Sequence, residues 1–121
     1  MSGTPSMAQQ PTYLDLVNAA ERVGGNDALR EMLPMLQEML ERDAPVIDVL
    51  LAQGDAPGAG KLLHSLKGCM PIFCHEPLCN GVAALELQAK SGQLDAVRSG
   101  YATLRPQLLA LQHEISAYMG A

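Results

Sequence analysis

The sequence predicts an all-α protein, an up-and-down antiparallel bundle of four helices preceded by a short N-terminal lid helix. Three observations carry that expectation. The apolar residues are mostly Leu, Ala, Val and Met, with no Trp, one Phe and three Tyr, a balance that favours helices over sheets. They recur every three or four positions along most of the chain. Glycines, prolines and capping residues divide that pattern into segments joined by short connections, which set consecutive helices antiparallel. At 121 residues the chain can bury one core and leaves no room for a second domain.

Residues 1–11, MSGTPSMAQQP, have no periodic apolar positions and read as a flexible tail ahead of one domain spanning 12–121. Thr12 is the expected N-cap of the lid helix, which places Leu14, Val17 and Ala20 at helical spacing and stops at Gly24 and Gly25. Asn26 or Asp27 caps a long second helix whose stripe runs through Leu29, Leu33, Leu36, Met39 and Leu40 to Val46, Ile47, Leu50 and Leu51. Pro34 and Pro45 are expected to bend it rather than break it, because the stripe continues through both, and Gly54 ends it. Asp55 followed by Pro57 opens the third helix, which ends or kinks near Pro71. The fourth starts near Pro77, carries Leu78, Val82, Leu85 and Leu87, and stops before Gly92. The fifth runs from Leu94 through Val97, Tyr101, Leu104, Leu108, Leu111 and Ile115 to Tyr118, kinked or interrupted at Pro106.

A net charge of −5 without a basic cluster argues against nucleic acid as the partner, since phosphate backbones are bound by many Lys and Arg. No apolar run reaches the ~20 residues that span a bilayer, and the N-terminus lacks a secretory pattern, so no membrane is expected and the location is read as cytoplasmic. Cys69, Cys74 and Cys79 crowd into one segment and are odd in number, which suits reduced thiols better than a disulfide framework.

The stretch GKLLHSLKGCMP, Gly60 to Pro71, departs from good helix design. On a helical wheel Ala59, Leu62, Leu66, Cys69, Met70 and Phe73 fall on one side with Leu63 at its margin, and His64 points almost directly away from them. Gly60, Gly68 and Pro71 share the side of His64, and Lys61 and Lys67 flank it. Each mid-helix Gly costs about 1 kcal/mol against Ala and an interior Pro ~3 kcal/mol, so bulk is removed around one exposed imidazole at a local cost. Imidazole offers an uncharged nucleophilic nitrogen near neutral pH. Lys67, one turn on, can neutralise a phosphoryl group, and Gly68 lets a partner approach closely. These are the needs of a phosphoryl acceptor presented to another protein; an outward helix face supplies no water-excluded pocket for a self-contained enzyme.

The pentapeptide His64-Ser65-Leu66-Lys67-Gly68 resembles the signature of histidine-containing phosphotransfer (HPt) domains. The resemblance covers residues 13–118, in the order of lid helix, Gly-Gly turn, long helix with Asp-Ala-Pro, histidine helix and a helix ending in a Leu-Glu pattern. It implies that His64 accepts a phosphoryl group from a receiver-domain aspartyl phosphate and passes it to another receiver. Lys67 would stabilise the phosphohistidine, Gly68 would give clearance, and Gly60, Lys61, Ser65 and Pro71 would meet the partner. The protein would be a phosphocarrier without turnover of its own, binding no cofactor or metal, with Mg²⁺ on the receiver; an exposed His64 face suits a monomer. Pro71 stands where the family usually has a small helix-compatible residue, and Cys74 about where a glycine often turns the chain.

Two other readings compete. Cys69, Cys74, His75 and Cys79 are zinc-ligand types in a compact segment, but no Cys-x-x-Cys pair is present and Cys69 falls on the core face. No cation stands beside a cysteine in the sequence to favour thiol redox chemistry. A helical docking protein that binds a kinase or receiver without passing phosphate is the second function class, and the intact His64, Lys67 and Gly68 speak against it. His75 and His113 read as surface histidines, the methionines as core filler, and Asp27, Glu31, Glu38 and Glu41 as a solvated face.

Overall fold

The computed structural model describes residues 11–120, so all of the expected N-terminal tail except Pro11 lies outside the described residues. Among the described residues the chain is a helical bundle of five helices, α1 (Leu16–Val23), α2 (Asn26–Ala52), α3 (Ala56–Cys69), α4 (Glu76–Lys90) and α5 (Leu94–Gly120), with a 3-10 turn at Met70–Ile72. Among the described residues the only extended pairing is an isolated bridge between Leu14 and Cys74.

The punctuation of the sequence fixes most boundaries. Gly24 ends α1 at φ 100°, and Gly54 and Gly92 turn the chain at φ 80° and 74°, left-handed conformations that glycine adopts without strain. The Asp55 carboxylate caps α3 by accepting the Gly58 N–H at 2.9 Å, with Pro57 in the first turn. Pro34, Pro45 and Pro106 all lie inside helices that continue past them. Each is exposed, so the carbonyls they deprive of a partner are on the water side, and the apolar stripe opposite holds the helix together.

The start of the lid differs from expectation. Thr12 is not its cap: Asp15 is, accepting the Asn18 N–H at 3.4 Å. The Glu114 carboxylate of α5 accepts the backbone N–H groups of Thr12, Tyr13 and Leu14, each at 2.9 Å, which keeps that segment extended across the bundle. The N–H of Asp15 donates to Phe73 O (2.8 Å) and that of His75 to Tyr13 O (2.9 Å). Leu14 is thereby buried outside the helix, while Val17, expected in the stripe, is 67% exposed.

Helix α2 packs on α3 and α5, α3 packs on α4, and α4 packs on α5, so the four longer helices enclose one core. That core runs through Leu33, Leu36, Leu40 and Ile47 of α2, Leu63 and Leu66 of α3, Val82 and Leu85 of α4, and Leu104, Leu108 and Leu111 of α5, with Met70 and Phe73 closing one end. Two charged side chains are buried in it among the described residues, Asp43 and Glu86. Asp43 pairs with its neighbour Arg42 at 2.9 Å; Glu86 belongs to the site described next.

Candidate functional site

The buried face of α3 consists of Ala56, Ala59, Gly60, Leu63 and Leu66, continued by Met70. Leu63 is fully buried and Leu62 only partly so, the reverse of the wheel reading, which gave Leu62 and Cys69 the weight of core residues. The face is therefore rotated by about 60°, less than the ~100° of one residue. His64 does not point straight away from the core; it sits at the edge of α3 that faces α4, with its side chain 65% exposed.

Opposite it stands Glu86, which the sequence reading did not assign to the site. Its carboxylate is 3% exposed, and Oε2 lies 2.7 Å from His64 Nδ1. The same oxygen is 2.6 Å from Lys90 Nζ, and Oε1 is 3.2 Å from Lys67 Nζ. Two lysines from different helices and one imidazole thus converge on one carboxylate. The hydrogen bond from Lys90 holds the Glu86 carboxyl down to about 2; it outweighs the burial that pushes the other way, and the bonds to His64 and Lys67 add to it. At neutral pH Glu86 is ionised and can only accept. The imidazole must then carry its proton on Nδ1, which leaves Nε2 with a free lone pair. A buried anion behind an exposed ring fixes its tautomer and orientation, as the carboxylate does in hydrolase triads.

Of the other predicted residues, Lys67 joins this cluster with its side chain 49% exposed. Gly68 is exposed, and a Cβ added there would meet nothing within 4 Å. Lys61 and Ser65 are exposed, Ser65 Oγ bonding Lys61 O at 3.4 Å. Gly60 is a correction: it is buried, and its added Cβ would lie 3.2 Å from Ala89 Cβ. Its missing side chain lets α3 approach α4, where the wheel reading had set it on the exposed side with His64. Pro71 is exposed in the 3-10 turn that ends α3, and its carbonyl accepts from Arg22 of α1 at 3.0 Å. A groove of about 470 Å³ runs beside the ring, lined by Pro57, Gly60, Lys61, His64, Ala89 and Lys90.

The cysteine segment is arranged differently. Cys74 and Cys79 are buried and Cys69 partly so, and burial raises all three thiols, that of Cys79 despite the nearby Arg22. Among the described residues no three His, Cys, Asp or Glu side chains converge as a metal ion would require. His75 is the exposed N-cap residue of α4, 3.7 Å from Asp15, and His113 is exposed. Asp27, Glu31, Glu38 and Glu41 all face solvent. No helix among the described residues is long and apolar enough to cross a membrane.

The signal for Glu86 was present in the sequence as the i,i+4 pair Glu86–Lys90 inside an apolar helix; only the packing of α4 on α3 turns that pair toward His64. A family model described as Hpt domain matches residues 31–119, a span that contains all of α3, α4 and the cluster around Glu86. Neither the curated proteins nor the solved structures compared with the chain gave a match.

Proposed function

Since the chain belongs to the Hpt domain family, we propose that it is a phosphorelay intermediate in which His64 accepts a phosphoryl group from a receiver-domain aspartyl phosphate and passes it to another receiver. The observation that carries the assignment is the exposed imidazole tied through Nδ1 to an ionised, buried Glu86. His75 has only the longer 3.7 Å approach to Asp15, whose side chain is 13% exposed, and among the described residues His113 has no ion-pair partner.

The chemistry follows from that geometry. The Nε2 lone pair attacks phosphorus, a P–N bond forms, and the P–O bond to the aspartate breaks with its electrons leaving on the carboxylate. No proton has to move. The ring keeps its Nδ1 proton and becomes positively charged against Glu86, which offsets that charge in the transition state and in the phosphorylated form. The reverse steps return the group to a second aspartate. Lys67 offsets charge on the transferring oxygens, and open Gly68 admits the receiver's backbone next to the ring. Lys61, Ser65 and Pro71 line the surface the receiver covers. In this reading the Mg²⁺ and acidic pocket belong to the receiver, and the chain acts as a phosphocarrier.

The test is transfer from a purified receiver labelled on its aspartate. The wild-type chain should take up one acid-labile phosphoryl group and a His64→Gln variant none. Undiminished labelling of that variant would refute the assignment, and binding of receivers without labelling of the wild type would favour a docking role.

A further inference from the structure

One carboxylate serves two lysines, and they differ in what they can do next. Lys67 comes from α3 and binds Oε1; Lys90 comes from α4 and binds Oε2, the oxygen that also holds His64 Nδ1. A phosphoryl group on His64 would add about two negative charges beside a buried anion that is already there. The ring's own positive charge against Glu86 offsets one of the roughly three negative charges then present, and Lys67, shared with Glu86, cannot balance the other two. The Glu86–Lys90 spacing would suit an ordinary surface helix pair worth a few tenths of a kcal/mol, but here the carboxylate is buried and the ammonium end is not: the Lys90 side chain is 59% exposed. It also lines the groove that His64 and Lys61 line, so its ammonium has open space in which to leave Oε2. The floor of that groove is low because Gly60 lets α3 lie close to Ala89.

We propose that Lys90 is a second phosphoryl-binding residue, held on Glu86 while His64 is free and moving to the phosphoryl oxygens when His64 is modified, so that cations from α3 and α4 bracket the group. This rests on His64 being the acceptor. The two lysines then divide the work: Lys67 is placed by the same helix as the nucleophile, and Lys90 reports the closeness of α4.

The experiment needs no receiver. The donor is N-phosphoimidazole: His64 Nε2 forms a new P–N bond, the donor's P–N bond breaks, and neutral imidazole leaves with that electron pair and its own ring proton. The same type of bond is made and broken, so the equilibrium constant of exchange reads the surroundings of His64. Lys90→Met should lower that constant about tenfold, about 1.4 kcal/mol, and Lys90→Arg should keep it within about twofold, with melting curves showing both folded. A purely structural Lys90, acting only by holding Glu86, would lose its effect in a Glu86→Gln background; direct contact predicts that Lys90→Met still lowers the constant there. An unchanged constant in Lys90→Met, or an effect that vanishes with Glu86, overturns the proposal while leaving His64 as the acceptor. Modification of another histidine in place of His64 in the wild type overturns both.

Discussion

Replacing Glu86 by Gln keeps size but removes the charge that His64, Lys67 and Lys90 share and turns one acceptor oxygen into a donor, so it is the pH dependence of its cost that isolates the electrostatic part of the site. The folded carboxyl is held at about 2 against an ordinary 4.5, and at about 1.36 kcal/mol per unit the full linkage is ~3 kcal/mol. The three partners stand 49–65% in solvent, which screens the pairs, and about 2 kcal/mol is the value expected at pH 7. The sign is that of a depressed acid. The stabilisation is complete above the unfolded value near 4.5 and is lost as pH falls toward 2; by pH 3 roughly half or less of it remains. Urea unfolding followed by helical circular dichroism at pH 7, 4.5, 3 and 2 measures the gap between wild type and variant. The gap should be about 2 kcal/mol at pH 7 and close to zero at pH 2. A gap that stays constant across that window would refute the reasoning, because it would come from packing rather than from the shared charge.

Gly68→Leu should raise stability by about 0.5–1 kcal/mol, as helix propensity alone dictates at an open position, yet slow transfer from a receiver at least tenfold; stopped-flow transfer and thermal melting check the two halves. Gly60→Leu should do the opposite in the first respect, costing about 1–3 kcal/mol by overpacking the seam at Ala89, as read from urea midpoints. Glu114→Gln leaves one acceptor oxygen where a carboxylate met three N–H groups, and hydrogen exchange at residues 12–14 should speed up about tenfold, by ~1–2 kcal/mol of lost local protection.

The helical class, the number of helices and most of their ends were legible because they depend on local chemistry: Asp55 and Pro57 at a start, Gly24, Gly54 and Gly92 at stops, and apolar stripes that continue past Pro34, Pro45 and Pro106. The start of the lid was not, because a carboxylate on α5, about a hundred residues away, decides it. His64, Lys67 and Gly68 stand out as candidates from one short stretch. The direction His64 faces was missed by about 60°, less than one helix position, since Leu62 and Cys69 look as apolar as Leu63 and only packing tells which is buried. Gly60 shows the same limit: a missing side chain reads alike whether it admits a partner or a neighbouring helix. Glu86 was hidden most completely, because a charged residue is taken for surface unless its counter-charges can be seen arriving from another helix.

The central claim is that His64 is the acceptor, through Nε2, with Nδ1 kept protonated by Glu86. Nitrogen-15 and phosphorus-31 magnetic resonance of histidine-labelled protein, phosphorylated by a receiver, tests it most directly. The account predicts one phosphohistidine, at His64, with phosphorus coupled to Nε2 and the proton on Nδ1. A phosphoryl group on Nδ1 of His64, or on His75 or His113, would contradict it.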